Sequence, residues 1–387
     1  MTLPRRDFFA RLGGLALASR WGAFTGPETG NEKAAPLETG AHAQASVIRP
    51  VGYAIIGLGR VSLGQFLPGL QFAHHARPVA LVSGSRGKAE IIARRYGIPF
   101  RSIYNYDNFD RIADDPAIEA VYVALPNSMH AEFTERAARA GKHVLCEKPM
   151  ATSVADAEAM IAACRRARRR LMIAYRCQYD PVTRRLRKLA RGGELGRLQM
   201  INAHFGFDIS PFYTVMGVTR PEWRLNHAMS GGGPLVDVGI YCLNGSRFVS
   251  GEEPAGVTAT KSVAGHDPRF RSVDENLAWT FHFPSGLLAA CSTSYGCNMG
   301  EAMQVIGGEG RLRLAPAFGY ASQKLAGFTR TGQVHYGPHD PGPQQFAAEA
   351  DHLAECIRHN RAPFTPGEEG LRDMRWIEKI YQATQRS

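Results

Sequence analysis

Between residues 51 and 174 the chain alternates short apolar runs with stretches of helical periodicity, and a pair of glycines follows the first run directly. The runs are Gly52–Ile56, Val79–Val82, Ala120–Leu125, His143–Cys146 and Leu171–Ala174. Between them lie helical stretches over Lys88–Tyr96, Ser128–Ala140 and Val154–Arg169, the last two preceded by the N-cap candidates Asn127-Ser128 and Thr152-Ser153. Strands that alternate with helices form a parallel, doubly wound sheet. The carboxyl ends of such strands open onto one crevice. Two features point into it. Gly57-Leu58-Gly59 lets backbone approach a dinucleotide pyrophosphate at the start of a helical stretch. The pattern runs Gly57, Gly59, Ser62, so a small residue replaces the third glycine, whose role is close helix–strand packing. About ninety residues later, Glu147-Lys148-Pro149 ends another strand and brings a positive charge to the same crevice. Taken alone, the glycine pair is also compatible with a turn that holds no ligand.

After Tyr175 the texture changes. A helix over Val182–Arg191 ends at Gly192-Gly193. Strand-like runs follow at Leu198–Phe207, Gly256–Val263, Asn276–Phe283, Leu287–Tyr295, Ala302–Gly307 and Arg311–Leu314, separated by turn signals such as Pro284-Ser285-Gly286. Their polar–apolar alternation fits a sheet with one covered face. The tail is helical over Gln345–Arg358 and Glu368–Thr384. The 387 residues suit two domains. The predicted fold class is α/β, a Rossmann dinucleotide-binding domain over 44–173, followed by an α+β domain with a large, mainly antiparallel sheet over 174–387 for substrate and dimerisation.

The first forty-three residues read as an export signal. Arg5-Arg6-Asp7-Phe8-Phe9 precedes a mild apolar run from Leu12 to Ala18, and Ala41-His42-Ala43 offers a small-x-small cleavage site. Twin arginines before a weakly apolar segment mark the twin-arginine route, which carries folded proteins and here predicts a periplasmic destination. The apolar run is far shorter than the roughly 20 residues that span a bilayer. The formal charge is +11, with basic clusters at Arg165–Arg170 and Arg184–Lys188. Both fall in helical segments with alanine and leucine and read as solvated faces; no nucleic-acid module accompanies them. Seven cysteines show neither metal spacing nor a disulfide framework, so neither a metal nor structural disulfides are expected.

Which dinucleotide is bound follows from the end of the second strand. NAD binding calls for an acid about twenty residues after the glycines. This strand instead runs Leu81-Val82-Ser83-Gly84-Ser85-Arg86-Gly87-Lys88, with two hydroxyls, two cations and no carboxylate. Such donors suit the 2′-phosphate of NADP. Further on, Gly231-Gly232-Gly233 precedes Asp237 and Tyr241, which are four apart and share a helix face. A tyrosine becomes a usable base only when a cation lowers its pKa from about 10, and Lys148 is the candidate neighbour. A core tyrosine on a helix that begins near an aspartate is the competing reading.

The strings Ala54-Ile55-Ile56-Gly57-Leu58-Gly59, Leu125-Pro126-Asn127-Ser128-Met129-His130-Ala131-Glu132-Phe133 and Lys142-His143-Val144-Leu145-Cys146-Glu147-Lys148-Pro149-Met150-Ala151 resemble the Gfo/Idh/MocA oxidoreductases. Tyr175-Arg176-Cys177, Trp223-Arg224-Leu225, Asp237-Val238-Gly239-Ile240-Tyr241 and Pro366-Gly367-Glu368-Glu369-Gly370 match as well. Tyrosine at 241, where most relatives carry histidine, resembles the glucose–fructose oxidoreductase type. The resemblance implies tightly held NADP(H), oxidation of one sugar at its anomeric carbon, and return of the hydride to a second sugar. It implies Tyr241 as general acid/base, Lys148 as its electrostatic partner and Asp237 as a hydroxyl anchor. It implies cofactor contacts from Gly57, Leu58, Gly59, Arg60, Ser83, Arg86, Lys88, Tyr104, Leu125, Asn127, His130, Glu147, Lys148, Arg176, Trp223 and Arg224. It also implies a homo-oligomer and a cis Lys148–Pro149 bond. Residues 208–220 depart from the family string, which leaves the choice of sugar open. A conventional NADP-linked aldose dehydrogenase with exchanging cofactor, and a sugar sensor without catalysis, stay as alternatives.

Overall fold

Alternate residues of a strand point to opposite faces, so a strand covered by helices on both sides has no place for a polar alternate. β1 (Val51–Ile56) shows this: all six residues are buried, with Ala54 and Ile56 in one core and Tyr53 and Ile55 in another. The computed structural model describes residues 49–385 apart from 216–217 and 220–221. β1 is central to a six-stranded sheet with β2 (Ala76–Val82), β3 (Ile103–Tyr104), β4 (Ala120–Val123), β5 (His143–Glu147) and β6 (Leu171–Ala174). The order is β3-β2-β1-β4-β5-β6, and every neighbouring pair is parallel. The order reverses at β1, between β2 and β4, and there the crevice opens at the carboxyl ends of the strands.

The second sheet has eight strands: β7 (Leu198–Gly206), then, beyond a short hairpin of β8 (Thr214–Val215) and β9 (Val218–Thr219), β10 (Gly256–Ser262), β11 (Asn276–His282), β12 (Leu288–Ser294), β13 (Gly300–Gly307), β14 (Arg311–Ala315), β15 (Gln323–Thr329) and β16 (Gly332–His339). Their order is β10-β11-β12-β7-β13-β14-β15-β16, antiparallel except for β12 beside β7. One face is apolar. Leu277, Trp279 and Phe281 of β11 and Ile201 and Ala203 of β7 are buried against the helix Ile240–Ser250 and its neighbours, while Thr280 and His282 face outward. The sequence predicts six of these strands; β15 and β16 are additions. β16 is an edge strand whose residues are all at least partly exposed; Val334 and Tyr336 pack against the core, but Gly332, Gly337 and Pro338 around them break the pattern by which strands are read.

The C-terminal helices return to the first sheet, and the last of them also packs on the second. On the helix Gln344–Arg358, Phe346, Ala350, Leu353 and Ala354 join the core formed by Tyr53, Phe66 and Tyr122. The helix Gly367–Ala383 packs against Val154–Arg166 and β10. A buried ionic hub ties it to Ile240–Ser250: Arg247 meets Asp373, Glu369 at 3.0 Å and Glu253 at 2.6 Å. The twin-arginine segment and its cleavage site lie outside the described residues. Among the described residues, no helix is long and apolar enough to cross a membrane, and no cluster of His, Cys, Asp and Glu could hold a metal ion.

Candidate active site

The carboxyl ends of β1, β2, β4 and β5 and the inner face of the second sheet border a cleft of about 810 Å³. At its floor, Gly57 adopts φ +87°, and a Cβ there would stand 2.3 Å from the Ala124 carbonyl oxygen. Only glycine fits that turn. Ser62, at the position of the missing third glycine, is fully buried and donates its hydroxyl to the Gly57 carbonyl at 2.6 Å. A side chain thus locks the turn to the helical stretch that follows. Nothing lies within 4 Å of where a Cβ of Gly59 would be, so this residue opens the cradle to a ligand.

At the end of β2, Ser83, Ser85 and Lys88 line the cleft with no carboxylate among residues 83–88. Ser85 caps the helix Arg86–Tyr96, and Lys88 Nζ donates to the Leu58 carbonyl at 3.3 Å, which holds the ammonium over the glycine turn. Hydroxyls, a cation and a helix N-terminus together suit a phosphate. Two expected contacts are placed elsewhere. Arg86 turns back along its helix to Glu90 at 2.9 Å and to the carbonyls of Ile103 and Phe100, because the i,i+4 partner captures it. Tyr104 points its hydroxyl to Asp115 at 3.3 Å. Neither lines the cleft; Tyr106 does.

Leu58, Arg60, Leu125, Asn127, His130, Glu147, Trp223 and Arg224 line the cleft as well. Asn127 is anchored through its amide to the Ser230 carbonyl at 2.8 Å. His130 is a brace: its ring nitrogens meet the carbonyls of Pro149 and Leu125, each at 2.9 Å, joining the loops after β4 and β5. Burial lowers its pKa to about 4 against the pull of the two carbonyls, and a neutral ring donates to one of them and only faces the other. Glu147 accepts from the Tyr122 hydroxyl at 2.6 Å and the Lys148 amide at 3.2 Å. The Lys148–Pro149 bond is cis.

The chemistry gathers around Tyr241. Lys148 Nζ donates to the Asp237 carbonyl at 2.6 Å, lies 3.6 Å from Asp237 Oδ1, and sits 4.6 Å from the centre of the Tyr241 ring. It therefore faces the ring rather than the hydroxyl. The hydroxyl accepts instead from Arg176 Nε at 3.0 Å. Arg176 also donates to Gln345 Oε1 at 3.1 Å and to the Phe318 carbonyl, and its guanidinium lies between the rings of Tyr241 and Tyr320. Burial pushes the Tyr241 phenol well above its usual range, with Arg176 the leading opposing influence. Burial also lowers the Lys148 ammonium, against the pull of Asp237 and Glu147. Asp237 is raised by burial but lowered more by Arg224, Lys148 and Tyr295, so it stays a carboxylate. Its Oδ2 accepts from Arg224 at 3.1 Å and Tyr295 at 2.9 Å, leaving Oδ1 toward Lys148 and the cleft.

Glu222, Tyr295, Glu301, Phe318, Tyr320 and Gln345 complete the site and were not foreseen. Glu222 directly precedes Trp223-Arg224-Leu225; the others belong to no motif, and only the fold brings them in. The helix bearing Asp237 and Tyr241 opens with a π-helical turn, Leu235–Gly239, before Ile240–Ser250. Cys297 is exposed; the other six cysteines are free thiols in buried or half-buried settings. Residues 208–220, where the choice of sugar was left open, fall partly outside the described residues.

Comparison with known proteins agrees with this architecture. Residues 51–175 match the oxidoreductase family with an NAD-binding Rossmann fold, and residues 183–313 match the GFO/IDH/MocA C-terminal domain. D-xylose 1-dehydrogenase [NADP(+)] of Haloarcula marismortui is 31% identical over 88% of this chain and 93% of its own length. D-xylose 1-dehydrogenase (NADP(+)) 2 of Haloferax volcanii is 28% identical over 86% of this chain and 97% of its own. The crystal structure of aldose-aldose oxidoreductase from Caulobacter crescentus, complexed with glycerol, superimposes with a TM-score of 0.82 at 43% identity, covering 87% of this chain and 98% of that one. The glycine turn, the lysine at the end of β5, and the two-sheet architecture all agree with these matches: the chain belongs to the Gfo/Idh/MocA family of oxidoreductases.

Proposed function

We propose that this chain is an NADP-dependent sugar oxidoreductase that oxidises an aldose to its lactone and passes the hydride from tightly held NADPH to a second sugar, giving a sugar alcohol. The observation that carries the reading is the continuity of one cleft: the carboxylate-free Ser83/Ser85/Lys88 end runs directly into the Tyr241, Arg176, Lys148 and Asp237 cluster. The likeness to aldose-aldose oxidoreductase supports the exchange chemistry. The cofactor would lie on the Gly57–Gly59 turn and supply the site that accepts and returns hydride. Oxidation removes hydride from the anomeric carbon and a proton from its hydroxyl. Tyr241 Oη takes that proton, and returns one to the carbonyl oxygen of the second sugar when hydride reaches its carbon. Arg176 and Lys148 supply the positive charge that favours the phenolate, and Asp237 Oδ1 orients a sugar hydroxyl.

The test is the absorption spectrum of the purified protein, followed by sugar pairs without added cofactor. Retained NADP(H) and coupled formation of aldonolactone and alditol support the exchange reading. The haloarchaeal xylose dehydrogenases favour a second reading, an aldose 1-dehydrogenase with exchanging cofactor. Protein that purifies without cofactor and turns over only with added NADP would establish that reading instead. We also propose a homo-oligomer, checked by sedimentation, and a periplasmic destination, argued below.

A further inference from the structure

Arg176 is buried, yet among the described residues no carboxylate comes within ion-pair distance of it; its acceptors are a phenol, an amide and a backbone carbonyl. Three acids feel its charge: Glu147, Glu301 and Glu349. They are not equivalent. Both oxygens of Glu147 accept hydrogen bonds, and Glu301 Oε2 accepts from the Phe318 amide at 2.9 Å. Glu349 is fully buried and neither of its oxygens has any hydrogen-bond partner. It lies on Gln344–Arg358 one turn beyond Gln345, the residue whose amide oxygen holds Arg176. Tyr53, Tyr122, Cys177, Tyr179 and Glu147 are the titratable groups within reach of its charge. The cation acting on it is Arg176.

An ionised carboxylate with no hydrogen bond and no solvent is strongly disfavoured, and a second acid nearby disfavours it further. We propose that Glu349 is a positioning residue of this site: a buried acid that holds its proton, so that the charge of Arg176 stays directed at the Tyr241 hydroxyl. When Glu349 loses that proton to solvent, its negative charge offsets Arg176, and the Tyr241 phenolate, the base for aldose oxidation, forms only at higher pH. The pH at which aldose oxidation reaches its plateau is therefore set in part by a group that touches neither sugar nor cofactor. The inference rests on the reading of Tyr241 as the proton carrier.

Glu349→Gln keeps the shape of the neutral acid and cannot ionise. The first readout is the infrared difference spectrum of the cofactor-stripped wild type and E349Q at neutral pH. The carbonyl stretch of a protonated carboxylic acid is expected in the wild type and absent from the variant; carboxylate bands in its place overturn the proposal. The second is the pH dependence of single-turnover reduction of bound NADP by an aldose. The rate follows the phenolate and rises with pH, and E349Q, which cannot ionise, is expected to reach half of its maximum at a lower pH than the wild type. Superimposable profiles overturn the proposal. A wild type whose bound NADP no aldose reduces overturns the functional reading itself, a result distinct from a wild type that reacts with a profile identical to that of E349Q.

Discussion

Tyr241 shows how several groups act on one proton. Burial alone would keep its phenol protonated at any working pH, and Arg176 at 3.0 Å is the group that opposes this most directly. Lys148 acts on the ring face and on Asp237, so its contribution passes through the π-system and the carboxylate rather than through a hydrogen bond to Oη. Tyr241→Phe keeps the ring packed against Phe205 and Phe318 and removes the proton carrier. Single-turnover reduction of bound NADP should fall by roughly 10²–10⁴, the usual yield of general acid–base catalysis, with cofactor affinity nearly unchanged. A wild-type rate in the variant would assign the proton to another group. His130 is poorly placed for that role, because both its nitrogens face backbone carbonyls. At the other end of the cleft, Lys88→Ala should weaken NADP by about 1.5–3 kcal/mol and leave NAD almost unaffected, since a charge-assisted hydrogen bond to the 2′-phosphate is what it removes. Titration of the stripped protein with both nucleotides decides this; equal losses would mean that Lys88 acts on the glycine turn through Leu58 instead.

The elements that hold these residues in place carry their own titration. His143 opens β5 and accepts the Arg170 backbone N–H on Nδ1 at 2.9 Å, fastening the loop before β6 to the strand that ends in Lys148. Burial first, then Arg169 and Arg170, lower its pKa to about 4. The unfolded ring titrates near 6.5. Between those values the unfolded chain binds more protons than the folded one, so this contribution is complete above about pH 6.5 and is lost as pH falls toward 4. The loss should reach about 2 kcal/mol once partial exposure of the ring is allowed for. His143→Asn keeps an acceptor near Nδ1 and does not titrate, so its melting temperature should fall less than that of the wild type between about pH 7 and pH 4. Parallel curves would remove the argument. Legibility in the sequence also varied by element. Strands such as β11, with Leu277, Trp279 and Phe281 on one face, are readable because one side of the sheet is buried. β16 is not, because Val334 and Tyr336, the pair that packs against the core, make too short a run and are flanked by glycine and proline. Lys148 and Tyr241 were legible because short motifs carry them. Arg176 as the hydroxyl's partner, Arg86 turned away by Glu90, and Glu349 behind the site were not, because each depends on which side chain wins a contact that only the folded chain creates.

On the scale of the whole molecule, the cleft is built from both ends of the chain. Gln345, Phe346 and Glu349 come from a helix more than 280 residues beyond the Gly57 turn; Phe346 joins the core beneath β1 and β4, and Gln345 holds Arg176. A site that draws Gly57 and Gln345 together is complete only when the full chain has folded, so on the proposed reading cofactor capture follows folding rather than accompanying synthesis. This bears on export. NADP is made and reduced in the cytoplasm, and a hydride exchange between two sugars needs no supply of it once the cofactor is held. A folded protein that already contains its cofactor can work where none is available, and the twin-arginine route carries folded cargo. We therefore propose that Arg5 and Arg6 direct the folded, cofactor-loaded protein outward, and that replacing both with lysine keeps it in the cytoplasm. Fractionation should then find sugar-oxidising activity in the periplasm for the natural sequence and in the cytoplasm for the double variant, with the same NADP content per protein in both. Normal export of the variant would refute the twin-arginine reading. Cytoplasmic retention with an empty cleft would refute the other half: it would mean that loading depends on export, and that the exchange chemistry is not what the folded chain is built to carry across.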